Sequence, residues 1–498
     1  MPGSLTQLLA KPIRWHDWLT DPNVHALLSD LQANILKGHG RDHIGNIFAS
    51  FSGVPADKVA HLLRRLAPLV TSALHQLREV DAFKATHVSG GRVVCLFLAR
   101  GAYEKLGAPE GKRPGDAAFR AGMRARGQLA QIPFAGLPPL PGLNDPPPKR
   151  WGSGPWAPAN PEPDAMILVA DDDPDRVTAG LEAIERVLDG SGARVLGVER
   201  GLAQRRKQEG GNPKGEGLEH FGYVDGRSQP LFLQEDVDAE PKAVWDPAFP
   251  PSQFLVHDPL GRGELSCGSY FVFRKLEQNV KRFKRQEDDL AEVLGLRGEE
   301  AERAGALVVG RFEDGTPVVA SGKPKAGNPA NDFDFKGDPN GELCPFRGHI
   351  RKTNPRGESD PGPAQRPPGL RAERERLMAR RGITYGQRAP RPEGADFPED
   401  DRPERDVGLL FMAYMADIQE QFEFTQAAWA GNGDFVRPNT GIDPVIGQRG
   451  NRPGTADLRW RDGRSGGEGD FDFKTAVTLQ GGEYFFAPSV GFLYRAGR

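Results

Sequence analysis

Apolar and polar positions follow two patterns in the first half of the chain. Residues 57–80 and 173–190 place apolar side chains three or four positions apart, which predicts amphipathic helices, the first of them continuing through Pro68. Residues 92–100 and 164–172 are short runs rich in Val, Leu, Ile and Phe, which predict buried strands. The first half therefore alternates strands with helices.

The second half repeats this order of elements. Apolar runs at 269–276 and 408–416 predict strands, and residues 277–296 and 417–429 predict a helix after each of them. Residues 106–164 are rich in Pro and Gly, which predicts a long irregular excursion. Because the two halves share the order of elements, the pattern indicates a duplicated α+β unit.

Composition adds limits on size, partners and compartment. A length of 498 residues predicts two or more hydrophobic cores, and 38% apolar with 27% charged residues is typical of a globular protein. The net charge of −3 gives no attraction to nucleic acid or to an anionic membrane. Cys95, Cys267 and Cys344 are too far apart for a disulfide framework or a zinc knuckle. With no signal segment recognised, we predict a cytoplasmic protein; export or encapsulation by a partner stays open.

Asp225 lies in "HFGYVDGRSQP", where it precedes a glycine after an aromatic and aliphatic run. The Asp-Gly pair is a common turn dipeptide, so the residue is explained by a tight turn alone. A carboxylate held rigidly at the edge of a pocket would also be suited to accept and return a proton.

His349 lies in "CPFRGHIRKTNPR", between two prolines and beside the cations Arg351, Lys352 and Arg356. A lone histidine is usually structural. A neutral imidazole on a short supported segment is also a suitable axial ligand for haem iron, and guanidinium groups suit porphyrin propionates. Zinc is disfavoured because no second His or Cys stands at ligand spacing.

Two further stretches carry charge next to apolar runs. "LMARRGITYG" reads as a cationic helix end with a glycine cap, although an arginine directed into a cavity would stabilise charge developing on an oxygen. "GLLFMAYMADIQEQFEF" reads as a buried strand that leads to a helix capped by Asp417. Asp417 could alternatively accept a hydrogen bond from a ligand histidine.

Taken together, these stretches carry a family resemblance. "FGYVDGRSQP", "CPFRGHIRKTNP", "RRGITYG", "GLLFMAYMADIQEQFEF" and "GGEYFFAPS" occur in the order of the successive signatures of dye-decolorising peroxidases. The resemblance runs from about residue 30 to the C-terminus and favours the longer fungal-like and cyanobacterial-like branch. It implies an α+β fold with two ferredoxin-like domains, here 1–235 and 236–498, whose antiparallel sheets pack in a barrel-like arrangement.

The resemblance also implies a haem b peroxidase that reduces hydrogen peroxide and oxidises dyes, phenols or other small organic donors in one-electron steps. The motif positions imply His349 as proximal iron ligand, Asp225 as distal acid–base residue and Arg380 as the charge-stabilising arginine, with the adjacent Arg381 left as the alternative. Further residues are implied around the cofactor: Arg356 for a propionate, Leu409 and Phe411 for the distal wall, and Asp417 behind the ligand histidine.

Some expectations remain open at this stage. Large dyes are too bulky to approach a buried haem, so electrons would pass through Tyr or Trp side chains, with Tyr223 as a candidate. Thr384, Arg227 and Arg347 depart from the family pattern around the site. The alternative function is a haem-binding or haem-handling protein with incidental peroxidase activity. No nucleic-acid or membrane partner is expected, and the motifs do not distinguish a monomer from a homodimer.

Overall fold

A computed structural model describes residues 3–134, 139–206, 215–225, 228–325, 331–359, 372–387, 401–448 and 458–498. Its strands are β1 (His43–Ser50), β2 (Val93–Leu98), β3 (Gln131–Ile132), β4 (Leu140–Pro141), β5 (Ala165–Asp171), β6 (Arg194–Leu202), β7 (Gln204–Arg206), β8 (Glu216–Leu218), β9 (Val256–His257), β10 (Cys267–Gln278), β11 (Ala379–Arg380), β12 (Ile383–Tyr385), β13 (Gly408–Met415), β14 (Arg459–Asp462), β15 (Gly467–Asp470) and β16 (Val477–Ala487).

The helices lie mainly between these strands. They are α1 (Gly3–Leu8), α2 (Pro22–Asp30), α3 (Ala56–Leu66), α4 (Ala73–Thr86), α5 (Arg100–Lys105), α6 (Ala117–Ala121), α7 (Met123–Arg126), α8 (Pro174–Asp189), α9 (Gln234–Ala239), α10 (Val280–Val293), α11 (Glu302–Val309), α12 (His349–Thr353), α13 (Ala372–Glu375) and α14 (Val490–Arg495), with π-helical turns at Ile418–Glu423 and Thr425–Ala430. Within the described ranges, no helix is long and apolar enough to cross a membrane.

Ten of the described strands form one antiparallel sheet, with the main order β11-β13-β10-β16-β2-β5-β1-β6. The first half contributes β6-β1-β5-β2, which is the strand order of a ferredoxin-like unit when its strands are counted along the chain. The second half contributes β11 and β12 beside β13, then β10 and β16, which is the same order in reverse. The predicted pair of ferredoxin-like α+β units is therefore confirmed.

The two half-sheets meet at one edge and also pack face to face. Phe486 of β16 pairs with Leu98 of β2, which is the junction of the halves. The rings of Phe48 and Phe273 lie 5.0 Å apart across the inner space. At the far edges, the Thr384 hydroxyl of β12 donates to the main chain of β6. The sheet is thus rolled into the expected barrel-like arrangement around an aromatic core.

Most predicted elements occur close to their predicted positions, with two corrections. The predicted helix 57–80 is two helices, α3 and α4, because the chain makes a 3-10 turn around Pro68, which cannot continue an α-helical ladder. The predicted helix 417–429 is π-helical rather than α-helical. The boundary between residues 235 and 236 stays a prediction.

Candidate active site

A cavity of about 270 Å³ lies against the second half-sheet, on the face opposite the aromatic core. Alternate residues of β10, β13 and β16 form one wall, and α12 and the π-helical turns contribute others. Six residues predicted from the sequence line this cavity: Tyr223, Asp225, His349, Arg380, Leu409 and Phe411. These residues come from four separate segments, so only the folded chain brings them together.

Asp225 and Arg380 form the charged pair of the cavity. An Arg380 Nη1 donates to an Asp225 carboxylate oxygen at 3.3 Å, and each side chain keeps about a third of its surface exposed, at 36% and 34%. The Asp225 main-chain N–H donates to the Gly217 carbonyl at 2.9 Å, and the Arg380 N–H donates to Gln229 Oε1 at 3.1 Å. Both main chains are therefore fixed while the side chains stay accessible.

Arg381 faces away from the cavity, so Arg380 is the arginine that meets Asp225. The Arg381 guanidinium donates to the main-chain carbonyls of Asn34 and Ile35 at 2.9 and 2.8 Å. Arg380 and Arg381 point to opposite sides because they are consecutive residues in extended backbone, where side chains alternate between faces.

His349 lies at the start of α12, and its imidazole is held by a carboxylate that the sequence did not indicate. His349 Nδ1 lies 2.8 Å from Asp443 Oδ2, and the Asp443 side chain is fully buried. A carboxylate partner requires Nδ1 to carry the proton, which leaves the lone pair on Nε2. Asp443 itself is fixed, because its Oδ1 accepts from the N–H groups of Val445 and Ile446.

Asp417, which was predicted to hold the ligand histidine, has a different role. Its side chain accepts from the Glu420 N–H at 2.8 Å and caps the first π-helical turn. The expected hydrogen bond to His349 is made by Asp443 instead. Motif reasoning missed Asp443 because it stands 94 residues after the histidine in an ordinary turn sequence.

Two buried basic side chains, Arg351 and Lys352, fix the position of the short helix α12. Arg351 forms ion pairs with Asp338 and Glu358 and is fully buried. Lys352 donates to the main-chain carbonyls of Asn432 and Phe435, and its burial lowers the pKa of Lys352 to about 7. The cations after His349 in the sequence therefore anchor the segment.

Arg356 was predicted to bind a propionate, but the structure does not bring it to the described wall of the cavity. Its guanidinium donates to the carbonyls of Asn331 and Phe333 and to Ser228 Oγ, and its Cζ lies 3.7 Å from the centre of the Phe333 ring. Arg311 donates to the same Ser228 hydroxyl at 3.0 Å and does line the cavity. Of these two arginines, Arg311 is therefore the one that lines the cavity.

The departures from the family pattern have local explanations where they are described. The Arg347 guanidinium lies 4.7 Å from the Trp460 ring centre and donates to the Arg459 carbonyl at 3.0 Å, so it ties the segment before α12 to β14. Thr384 ties β12 to β6 through its hydroxyl. Arg227 lies outside the described residues.

Glu219 and Tyr223 are two further polar side chains that line the cavity close to Asp225 in the chain. Glu219 accepts from the N–H groups of Phe221 and Tyr223, and burial raises the pKa of Glu219 to about 7. Tyr223 lines the cavity, and its hydroxyl donates to Glu287. Glu287 is paired with Lys284 at 2.7 Å.

An Asp–Arg pair and a histidine backed by a carboxylate thus line one largely apolar cavity of an α+β fold, an arrangement suited to acid–base chemistry on a small ligand. None of the family models compared with the chain matches it. The multifunctional dye peroxidase DyP2 of Amycolatopsis sp. is 43% identical over 478 residues, which is 94% of this chain and 95% of that protein. A dye-decolorizing peroxidase of Mycetinis scorodonius is 30% identical, over 93% of this chain and 86% of its own length.

Solved structures agree with these relatives. The structure of DyP2 from Amycolatopsis sp. matches with a TM-score of 0.83 and 40% identity, over 97% of this chain and 99% of that one. A DyP-type peroxidase of Anabaena sp. matches with a TM-score of 0.81 and 35% identity, over 97% of both chains. The chain belongs to the dye-decolorizing peroxidase family. It is a hydrogen peroxide-dependent oxidoreductase.

Proposed function

We propose that this chain is a haem b peroxidase that takes electrons one at a time from dyes, phenols or other small organic donors. The observation that carries the proposal is that His349, Asp225 and Arg380 line the same cavity. The names of the relatives, which are dye peroxidases, support the class of donor.

The cavity residues fit a haem group. His349 offers Nε2, because Asp443 holds the Nδ1 proton, and this is the arrangement of a well-oriented iron ligand. Leu409, Phe411 and Leu479 supply apolar wall, and Arg311 supplies a cation for a propionate. Bound haem b would supply an iron centre that cleaves the O–O bond and stores the two oxidising equivalents of peroxide.

The chain's own residues manage the proton and the charge. Asp225 takes a proton from one oxygen of peroxide and delivers it to the other, which leaves as water. Arg380, 3.3 Å from Asp225, stabilises the negative charge that develops on the leaving oxygen. Two donor molecules then give one electron and one proton each, so one peroxide and two donors yield two waters and two donor radicals.

Steady-state and single-turnover kinetics on the haem-loaded protein test this role assignment. Asp225→Asn should lower the rate constant for reaction with peroxide by about 10²–10⁴-fold, because the proton carrier is lost. Arg380→Leu should lower it by about 10²–10³-fold. Asp288→Asn, at a carboxylate that is 75% exposed, serves as the matched control and should keep the wild-type rate. Absence of dye turnover by the wild type at full haem occupancy, between roughly pH 4 and 7, would refute the proposal.

The iron ligand is tested by absorption spectroscopy. His349→Ala should lose the Soret band of the wild type, because Nε2 is removed. Full activity in both Asp225→Asn and Arg380→Leu, together with ready transfer of haem to an acceptor protein, would instead favour haem handling as the role.

For donors too large to enter the cavity, we propose Tyr223 as the intermediate electron carrier. Tyr223 lines the cavity, and Glu287 is placed to accept its phenolic proton when the electron leaves toward the cavity. Because Tyr223 is only 4% exposed, the electron that restores it reaches it through the protein from a donor at the surface, and Glu287 returns the proton. Gly305 leaves room for this pair, since a Cβ there would lie 2.1 Å from the Tyr223 oxygen and 2.3 Å from the Glu287 oxygen.

Tyr223→Phe separates bulky donors from small ones. It should lower turnover of a bulky dye about 10-fold, the effect of a barrier about 1.4 kcal/mol higher, while a small phenol is oxidised at the wild-type rate. Electron paramagnetic resonance after peroxide addition should lose a tyrosyl radical signal in this variant. Tyr103→Phe, at a buried tyrosine of the core, is the control. Equal radical signals in wild type and Tyr223→Phe would rule this route out.

A further inference from the structure

Arg381 connects the strand that carries Arg380 to a loop of the first half of the chain, residues 33–39. Arg381 Nε donates to the Asn34 carbonyl at 2.9 Å, and Nη2 donates to the Ile35 carbonyl at 2.8 Å. A third bond runs from Nη1 to the carbonyl of Arg380 itself at 2.9 Å. One side chain therefore joins the two halves and holds the main chain of Arg380.

The 33–39 loop is itself a rigid partner. Asn34 has a φ of 68°, a left-handed conformation that a non-glycine residue keeps only when its surroundings enforce it. Its N–H donates to Gln76 Oε1 at 2.7 Å, and Gln76 Nε2 donates to the carbonyls of Lys37 and Gly38 at 3.0 Å. The Asn34 and Ile35 carbonyls that accept from Arg381 therefore belong to a turn whose main chain is fixed by Gln76.

The hydrogen bonds of Arg381 depend on the directions of its N–H donors and not on attraction to an opposite charge. Each of its three hydrogen bonds to described residues ends on a neutral main-chain carbonyl, and removal from water lowers the pKa of Arg381 to about 10, so the side chain stays protonated. Burying a cation beside neutral acceptors costs more folding free energy than burying an apolar side chain at the same position. An arginine there is explained if the rigid fork is needed to fix the geometry of its neighbour.

We propose that Arg381 is a positioning residue for Arg380, acting by holding the Arg380 carbonyl against the braced 33–39 loop. This inference rests on the proposed function, because it concerns the distance between Arg380 and Asp225. The Arg380 N–H is held by Gln229 and its carbonyl by Arg381, so the main chain is fixed from both sides. A displacement of about 1 Å in a catalytic group can cost about 10²-fold in rate.

The test compares two variants at position 381 with a control on the next strand. Arg381→Met removes all three bonds, and Arg381→Lys keeps the charge without the fork. Thr384→Val is the control, because it removes another side-chain bond between the halves, from Thr384 to the Leu202 carbonyl, without contact to Arg380. All variants are prepared as haem-loaded full chains with matched haem content.

Two readouts are measured: the bimolecular rate constant with peroxide and the affinity for cyanide. Neutral HCN has to lose a proton to bind as an anion, so under the proposed function its binding uses the same proton acceptor and cation without turnover. Arg381→Met should lower both values by about 10-fold or more, because Arg380 is displaced. Arg381→Lys should give values between those of Arg381→Met and the wild type. Thr384→Val should match the wild type in both readouts. Donor oxidation at saturating peroxide should change less than the peroxide step.

Wild-type peroxide rate and cyanide affinity in Arg381→Met would overturn the inference, as would an equal loss in Thr384→Val. If Arg381→Met does not fold, Arg381→Lys decides: wild-type values in both readouts overturn the inference. A wild-type protein that itself fails to react with peroxide would instead refute the proposed function, which separates the two failures.

Discussion

Two arginines that are adjacent in the chain, Arg380 and Arg381, have opposite surroundings. One meets Asp225 in the cavity and the other meets main-chain carbonyls of the first half. A motif of two arginines predicts that one is functional, but the choice follows from the strand pairing of Arg380 with Ala413, which sets the face of each side chain. Sequence alone could name the pair, and the register decided between its members.

At the same scale, Asp443→Asn tests the partner of His349. The change keeps Oδ1 for the N–H groups of Val445 and Ile446 but places an amide NH2 donor where the carboxylate oxygen accepts the imidazole proton, so His349 loses its charged partner. Because the ligand becomes less electron-rich, the haem reduction potential should rise, and activity should fall by about 10- to 100-fold. Spectroelectrochemical titration measures the potential.

Asp417→Asn is the matched control for that experiment. Asn keeps the cap on Glu420 N–H, so both the potential and the absorption spectrum should stay at their wild-type values. A shift in the potential of Asp417→Asn equal to that of Asp443→Asn would contradict the assignment of Asp443 as the partner of the ligand.

At the scale of elements, α12 illustrates a segment that cannot support itself. It has five residues, fewer than an isolated helix needs to be stable, so its position depends on tertiary contacts. Arg351 supplies several of them, since it bonds Asp338 and Glu358, and Asp338 in turn accepts from the N–H groups of Glu342 and Leu343. The sequence suggested that cations of this motif meet porphyrin propionates, and in the structure Arg351 and Lys352 anchor the element.

Removal of this anchor should destabilise the protein. Arg351→Leu leaves Asp338 and Glu358 as buried carboxylates without their cation, which should lower the free energy of unfolding by about 3–5 kcal/mol. Arg186→Leu, at a side chain that is 70% exposed, should change it by less than about 0.5 kcal/mol. Urea unfolding of both variants gives the comparison, and similar values for the two would count against the anchoring role.

At the scale of the whole molecule, several carboxyl groups are buried deeply enough to affect the pH dependence of stability. Burial raises the pKa of Glu219 and Glu483 to about 7 and that of Asp116 to about 6, from ordinary values of 4.5 and 3.8. Between the unfolded and folded pKa values, the folded protein binds more protons, so stability increases as the pH falls through 7. His39, whose pKa burial lowers to about 4, acts in the opposite direction below 6.5.

The net expectation is a protein more stable at pH 5.5 than at pH 7.5, by an amount on the order of 3 kcal/mol. Thermal or urea unfolding at the two pH values measures the difference. Glu483→Gln keeps an acceptor for the N–H groups of Met123 and Tyr484 but cannot titrate, so it should reduce the difference. A protein that loses stability between pH 7.5 and 5.5 would contradict this prediction.

The sequence by itself determined the order of strands and helices and the α+β class, and it singled out His349, Asp225 and the pair Arg380 and Arg381 as candidate site residues, because these inferences depend on local periodicity and on short motifs. The tertiary structure decided what depends on contacts distant in the chain. It placed Asp443 behind His349, Arg311 rather than Arg356 at the cavity wall, and Arg381 against the 33–39 loop. Those contacts form only when the sheet rolls up and its edges meet. A local sequence pattern therefore cannot predict which distant residues come into contact.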